Sequence, residues 1–181
     1  MKQKIGQFIL FKLLGWRMIG TRPADPKFIF VAAPHTSNWD FVYGWLAAHA
    51  LGLDVKILAK DVFFIWPINY FCAMLGVLPV NRRKRTNFVD AIAEKIARAD
   101  KIALLITPEG TRSFRPTLKS GYYHLAQKAQ IPIVVAGPNF RQKTFTILPA
   151  REPLPTFAED QAQVIEFCKT QDAYHPENTF R

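Results

Sequence analysis

The 181-residue chain predicts an α/β fold in which a mostly parallel central sheet is flanked by helices. Two patterns predict it. Short, continuous apolar runs such as residues 28–33 (FIFVAA) are typical of strands that are buried on both faces. Longer segments such as 86–99 carry apolar residues at helical spacing and alternate with these runs. Regular alternation of strands and helices favours a parallel sheet with helices packed against it.

Each element follows from its own pattern. Ser37 or Asn38 suits the N-cap of the helix that we expect at 38–51, and the proline-rich connector 21–27 separates an amphipathic segment, 1–22, from a single domain, 23–181. We expect strands at 28–33, 55–59, 77–80, 101–106, 131–136 and 143–148, and helices at 38–51, 61–75, 86–99, 119–129 and 159–170.

Composition and charge restrict the function classes. The hydrophobic share of 49% excludes a wholly disordered chain, and Cys72 and Cys168 form no metal or redox motif. Residues 1–151 hold 22 cationic and 8 anionic side chains, whereas residues 152–181 hold 2 and 6. A basic body with 13% aromatic residues predicts an anionic partner. A phospholipid surface, a phosphorylated small molecule, a nucleic acid and an acidic carrier protein all remain open.

The first 22 residues predict an amphipathic helix. Its apolar residues recur every three or four positions, and no cleavable signal peptide is evident. Such a helix suits the surface of an anionic bilayer; the alternative is that its apolar stripe packs on the core. The apolar residues are Ile5, Phe8, Ile9, Leu13 and Trp16, and the polar ones are Lys4, Gln7, Lys12 and Arg17.

A second apolar stretch, residues 62–80, passes without a charge and is long enough to span a bilayer. Pro67, Asn69, Gly76 and Pro79 interrupt it. We therefore expect a buried or membrane-dipping helix to about Leu75, followed by a short strand, rather than a membrane span.

Three predicted strands end in unusually polar loops, at residues 34–40, 81–85 and 107–113. If these strands are parallel, all three loops lie at the carboxyl edge of the sheet, where open α/β proteins bind their ligands. The sequence thus predicts that a His–Asp pair, a cationic cluster and a Glu-Gly-Thr-Arg turn converge at one site.

His35 and Asp40 suit general-base chemistry, because a carboxylate beside an imidazole fixes its tautomer and stabilises its protonated form. The alternative is a loop histidine beside a first-turn carboxylate that the helix dipole favours. No serine-nucleophile, Walker A or dinucleotide-binding motif is present. The pattern indicates direct attack by a substrate hydroxyl, without a covalent intermediate.

Cations around the predicted site suit a phosphate, because the guanidinium fork matches its oxygens. They are Arg82, Arg112, Arg115 and Lys119. Residues 83–85 are equally compatible with a solvated charge run or a nucleic-acid patch. Gly110 permits a tight turn. Glu109 either holds the cations, binds a substrate hydroxyl or forms a buried ion pair.

These residues resemble the glycerophospholipid (lysophosphatidate) acyltransferase family, in particular its compact bacterial branch. Residues 35–40 (HTSNWD) match the first family motif, H-x-S-x-x-D, and residues 108–113 (PEGTRS) match the third. Residues 76–82 (GVLPVNR) resemble the second motif, and 131–134 (IPIV) the fourth. The motifs occur in family order across residues 34–134.

The resemblance implies a glycerol-3-phosphate acyltransferase-like fold and transfer of an acyl group from acyl-CoA or acyl carrier protein to a lysophospholipid or glycerol-phosphate-type acceptor. It implies no cofactor and no metal, with His35 as the base and Asp40 as its orienter. The implied phosphate-binding residues are Arg82, Glu109, Gly110, Thr111, Arg112 and Lys119. The implied location is the cytoplasmic face of the cell membrane, as a peripheral or monotopic protein. No nucleic acid is expected as a partner; a non-catalytic membrane-surface protein and a nucleic-acid or anion-binding protein are the alternatives.

Overall fold

A computed structural model of the chain describes residues 2–60, 76–80 and 88–181. Its strands are β1 Arg17–Ile19, β2 Lys27–Ala32, β3 Val55–Lys60, β4 Val77–Val80, β5 Ile102–Ile106, β6 Ile133–Asn139 and β7 Thr144–Ile147. Its helices are α1 Lys2–Gln7, α2 Asn38–Ala50, α3 Phe88–Arg98, α4 Gly121–Ala129 and α5 Phe157–Lys169. A π-helical segment, Phe8–Leu13, continues α1, and a 3-10 turn, Pro176–Asn178, follows α5.

The described strands form one seven-stranded sheet in the order β1-β7-β6-β2-β5-β3-β4. All neighbouring strands are parallel except the antiparallel pair β6 and β7. The predicted mostly parallel α/β fold is therefore confirmed. The chain leaves β2 toward β3 on one side and later returns to β6 on the other side of β2. Such a reversal in strand order opens a crevice at the carboxyl ends of the strands.

The central strand β2 is buried on both faces, as its continuous apolar run predicts. Phe28 and Phe30 point to the face that α2 and the N-terminal helical segment cover. Ile29 and Val31 point to the opposite face, which α3, α4 and α5 cover. Because side chains alternate along a strand, this one strand contributes to both hydrophobic cores.

The N-terminal helix is shorter than the sequence predicts. It ends at Leu13, Gly15 then adopts a φ of +71°, and β1 joins the sheet edge in parallel with β7. Trp16, which we placed on the bilayer-facing stripe, instead stacks on Tyr43 at 4.1 Å and is only 3% exposed. The turn at Gly15 changes the direction of the chain, so helical periodicity does not extend to Trp16.

Other predicted elements agree with the structure to within a few residues. The exceptions that cannot be compared are the helix predicted at 61–75, Cys72 and the cations at 82–85, which lie outside the described residues. Within the described ranges, no helix is both long enough and apolar enough to cross a bilayer.

Candidate active site

The loop after β2 is organised by the start of α2. Ser37 is the N-cap residue, and its Oγ accepts a hydrogen bond from the N–H of Trp39 at 3.2 Å. The Asp40 carboxylate reaches back to the same turn, where its Oδ2 accepts the N–H groups of Thr36 at 2.5 Å and Ser37 at 2.7 Å. This capping box satisfies backbone donors that a helix start leaves without partners. The backbone of the loop therefore fixes the position of Asp40.

The structure brings the predicted His–Asp pair together. Oδ2 of Asp40 lies 3.4 Å from Nδ1 of His35, and the two side chains are 6% and 17% exposed. A carboxylate at Nδ1 favours the tautomer in which Nδ1 carries the proton and Nε2 is basic. A separation slightly longer than a normal hydrogen bond is common at catalytic pairs without substrate.

Glu109 contacts the backbone of His35. Its Oε1 accepts the backbone N–H of His35 at 3.0 Å, and its Oε2 has no hydrogen-bond partner among the described residues. Burial raises the pKa of this carboxyl, because a charged carboxylate loses its hydration there. Glu109 is not among the residues that line the cleft described next. Glu109 thus joins its own loop to the loop of His35, and its contact with a phosphate stays a prediction.

A cleft of about 1450 Å³ opens in front of His35. Its polar end lies at the carboxyl edge of the sheet, where His35, Asp40, Gly110, Arg112 and Lys119 line it. Its remaining walls come from α2, the sheet, α3 and α4, and they combine many apolar side chains with a few polar ones such as Asp54 and Lys56. The apolar lining includes Phe30, Trp45, Leu53, Val55, Ile57 and Leu105.

A small pocket of about 380 Å³ adjoins the polar end of this cleft. His35 lines both spaces, as do Gly110 and Arg112. The remaining lining residues carry hydroxyl groups: Thr107, Thr111 and Ser113. Sequence reasoning missed Thr107 and Ser113, although their hydroxyls and their position directly after a buried strand were a usable signal.

The predicted cations Arg112 and Lys119 both reach the cleft. Within the described residues, neither has a carboxylate within 4.0 Å. Two cations without a counter-ion at the mouth of a cleft favour an anionic ligand. Of the other two predicted cations, Arg115 is exposed and does not line the cleft, and Arg82 lies outside the described residues. The strand that precedes Arg82 in the sequence, β4, is two strands away from β5 in the sheet.

The turn at Gly110 has a specific steric requirement. Gly110 has a φ of +63°, and the side chain of Lys119 packs so closely over it that a Cβ atom there would collide with that side chain. The loop also closes through its backbone, since the N–H of Lys119 donates to the carbonyl of Pro108 at 2.8 Å. Glycine at this position therefore leaves room for the Lys119 side chain against the loop.

In the part of the chain that the structure describes, no three His, Cys, Asp or Glu side chains are grouped as a metal ion would require.

The sequence profile of the acyltransferase family matches residues 19–137, more than half of the chain. The chain belongs to the acyltransferase family. The match includes every site residue described above. In fold, the chain is similar to the 1-acyl-sn-glycerophosphate (LPA) acyltransferase of Thermotoga maritima, with a TM-score of 0.66 and 20% identity. That comparison covers 92% of this chain and 75% of the other.

Curated relatives within the family share part of their sequence with this chain. The 1-acyl-sn-glycerol-3-phosphate acyltransferase of Saccharomyces cerevisiae is 31% identical over 126 residues, which are 65% of this chain and 41% of the yeast protein. The human 1-acyl-sn-glycerol-3-phosphate acyltransferase beta is 31% identical over 86 residues, 44% of this chain and 31% of the human protein. The chain spans less than half the length of these relatives.

Substitution of Gly110 tests the packing of the loop. We expect Gly110→Ala to lower the free energy of unfolding by about 1–2 kcal/mol, because the positive φ is costly for alanine and because Lys119 must move. The matched control is Gly121→Ala at the start of α4, where a Cβ meets nothing within 4 Å. Urea denaturation of both variants should show a loss for Gly110→Ala alone, and equal stability of the two would contradict the steric account.

Proposed function

We propose that this protein transfers a fatty acyl group from an acyl thioester to a hydroxyl of a lysophospholipid or glycerol-phosphate-type acceptor. The observation that carries the proposal is the His35–Asp40 pair at the polar end of a largely apolar cleft, beside Arg112 and Lys119. A base, an anion-binding end and an apolar wall are what an acyl acceptor with a phosphate group requires. Membership of the acyltransferase family and the names of the curated relatives support the same reaction.

The chemistry follows from the position of His35. Its Nε2 takes the proton of the acceptor hydroxyl while the hydroxyl oxygen attacks the thioester carbonyl carbon. The tetrahedral intermediate collapses and breaks the carbon–sulfur bond, and the imidazolium returns the proton to the departing thiolate. Asp40 stabilises the imidazolium between these steps. Every proton that His35 accepts is thus returned, and no acyl-enzyme forms.

The acceptor phosphate would lie in the small polar pocket. Arg112 supplies charge there, Thr111 and Ser113 supply hydroxyl groups, and Lys119 approaches from the cleft side. The apolar walls of the larger cleft would take the acyl chain of the donor or the acceptor. Acyl-CoA and acyl carrier protein are both donors of the right chemistry, and the reaction as written needs no cofactor or metal.

Replacement of the base tests the reaction directly. With oleoyl-CoA and lysophosphatidate, we expect acceptor-dependent release of free thiol, and we expect His35→Ala to reduce it by roughly 100-fold or more, the usual contribution of a general base. The thiol is measured with a colorimetric reagent. His124→Ala is the control, because His124 is exposed and does not line the cleft. Wild-type turnover by His35→Ala would disprove this mechanism.

Comparison of two arginines in one loop distinguishes phosphate binding from a general effect of surface charge on the KM. Arg112 lines both spaces, whereas Arg115, three residues later and equally exposed, lines neither. We expect Arg112→Ala to raise the KM for lysophosphatidate roughly 10- to 100-fold, as loss of a charge-assisted hydrogen bond implies, and Arg115→Ala to leave it unchanged. Equal increases in the two variants would argue against the small pocket as the phosphate site.

We also propose that the N-terminal helical segment seats the protein on an anionic membrane, at the cytoplasmic face and without spanning it. Ile5, Phe8 and Leu13 are 52%, 63% and 70% exposed, although apolar side chains of this size are normally buried. Exposed Lys4 and Lys12 directly precede Ile5 and Leu13 in the sequence. Apolar side chains together with lysines suit the interface of an anionic bilayer.

Flotation with phosphatidylglycerol vesicles tests this surface. Replacement of Ile5, Phe8 and Leu13 by serine should abolish co-flotation, because burial of each apolar side chain contributes about 1.5–3 kcal/mol. Leu148→Ser is the control, since Leu148 is exposed on another part of the molecule. Undiminished flotation of the triple variant would place the membrane contact elsewhere.

A further inference from the structure

Residues 172–180, here called the strap, return from the end of α5 to the site. The strap begins at Asp172, whose carbonyl accepts the N–H of Phe140 at 2.8 Å. Ala173 is buried, and the ring of Tyr174 meets Phe140 edge-on with a centroid separation of 5.2 Å. Phe140 itself packs on Tyr43 of α2 at 5.5 Å. The start of the strap is therefore held against both the sheet and α2.

From this anchor the strap reaches the loop that carries the base. The N–H of His175 donates to Oγ1 of Thr36 at 3.2 Å, and Thr36 is only 3% exposed. The N–H of Thr36 is also one of the donors to the Asp40 carboxylate. Thr36 thus has its hydroxyl bonded to the strap and its backbone bonded to the carboxylate that orients His35.

The end of the strap reaches the second loop of the site. Phe180 meets Phe114 edge-on, with ring centroids 5.5 Å apart. Phe114 is two residues from Arg112 and is 47% exposed, so the Phe180 ring adds a contact to the exposed part of this loop. Phe180 also packs against the hydrophobic core under α4 and α5. Its ring therefore joins the Arg112 loop to a rigid part of the molecule.

We propose that the strap sets the separation between the base and the phosphate-binding cations, with Thr36 and Phe180 as positioning residues. This rests on the proposed acyl transfer. The strap lies beyond residues 19–137, which match the family, so family membership does not itself account for it. Each contact touches one loop: Thr36 acts on the base, and Phe180 acts on the phosphate site. Loss of each contact should consequently affect a different kinetic constant.

Kinetics of two variant pairs test this division. Thr36→Val removes the hydroxyl without changing the size of the side chain, and should lower kcat about tenfold, the scale of one hydrogen bond, while KM for lysophosphatidate changes less than about twofold. Phe180→Ala should raise that KM roughly three- to tenfold, the scale of an aromatic pair, with little change in kcat. Thr36→Ser and Phe180→Leu should recover most of each loss.

Phe157→Ala is the matched control for lost packing. Phe157 is half-buried like Phe180 and packs on the same core, but its ring meets Tyr122 and Tyr123. The two variants are compared at an equal decrease in Tm. If Phe157→Ala then raises the KM as much as Phe180→Ala does, the effect of Phe180→Ala comes from lost stability alone, and the proposal is wrong.

Amide hydrogen exchange tests the strap independently of the reaction. Peptides covering residues 33–40 should exchange faster in Thr36→Val, peptides covering 109–116 should exchange faster in Phe180→Ala, and Phe157→Ala should leave both unchanged. If the variants exchange as expected but wild-type protein transfers no acyl group, the proposed function fails and the contacts of the strap with the two loops stand. If neither loop exchanges faster in its variant, the strap proposal is overturned whatever the activity.

Discussion

One carboxylate oxygen, Oδ2 of Asp40, is the atom on which the site depends. It accepts two backbone N–H groups at the start of α2 and lies 3.4 Å from the imidazole of His35. The same atom therefore caps a helix and lies beside the imidazole that we propose as the base. These two contacts account for the five-residue spacing of His35 and Asp40. His35 lies in the loop that follows β2, Ser37 is the N-cap of α2, and Asp40 is the third residue of that helix.

The second constraint is the adjacency of β2 and β5. Their parallel register places the ends of both strands side by side, so Glu109 reaches the backbone of His35 across 74 positions of sequence. The arrangement has a cost, because a buried carboxylate with one unpartnered oxygen is poorly solvated and its pKa is raised. This buried carboxylate binds the backbone of His35, whereas Arg112 and Lys119, which have no carboxylate within 4.0 Å among the described residues, are exposed.

Much of this was predictable from local pattern. Buried strands alternating with helices imply a parallel sheet, and a parallel sheet brings the loop of His35 and the loop of Arg112 to one edge. The position of Glu109 was not predictable, because sequence shows that a carboxylate is present without showing which way it points. Helical periodicity likewise could not distinguish Trp16, which faces the core, from Phe8, which is exposed. The hydrogen bond between His175 and Thr36 joins residues 139 positions apart, and a local sequence pattern cannot predict a contact between residues so far apart.

The N-terminal segment is fastened at two points. Gln7 donates to the carbonyl of Ala50 at 3.0 Å at the end of α2, and the N–H of Arg17 donates to the carbonyl of Lys143 at 2.9 Å at the sheet edge. Only three residues separate the helical turn that ends at Leu13 from β1. These contacts consequently fix the orientation of the segment relative to the sheet. Any surface that grips Phe8 and Leu13 also fixes the angle at which the mouth of the cleft faces that surface.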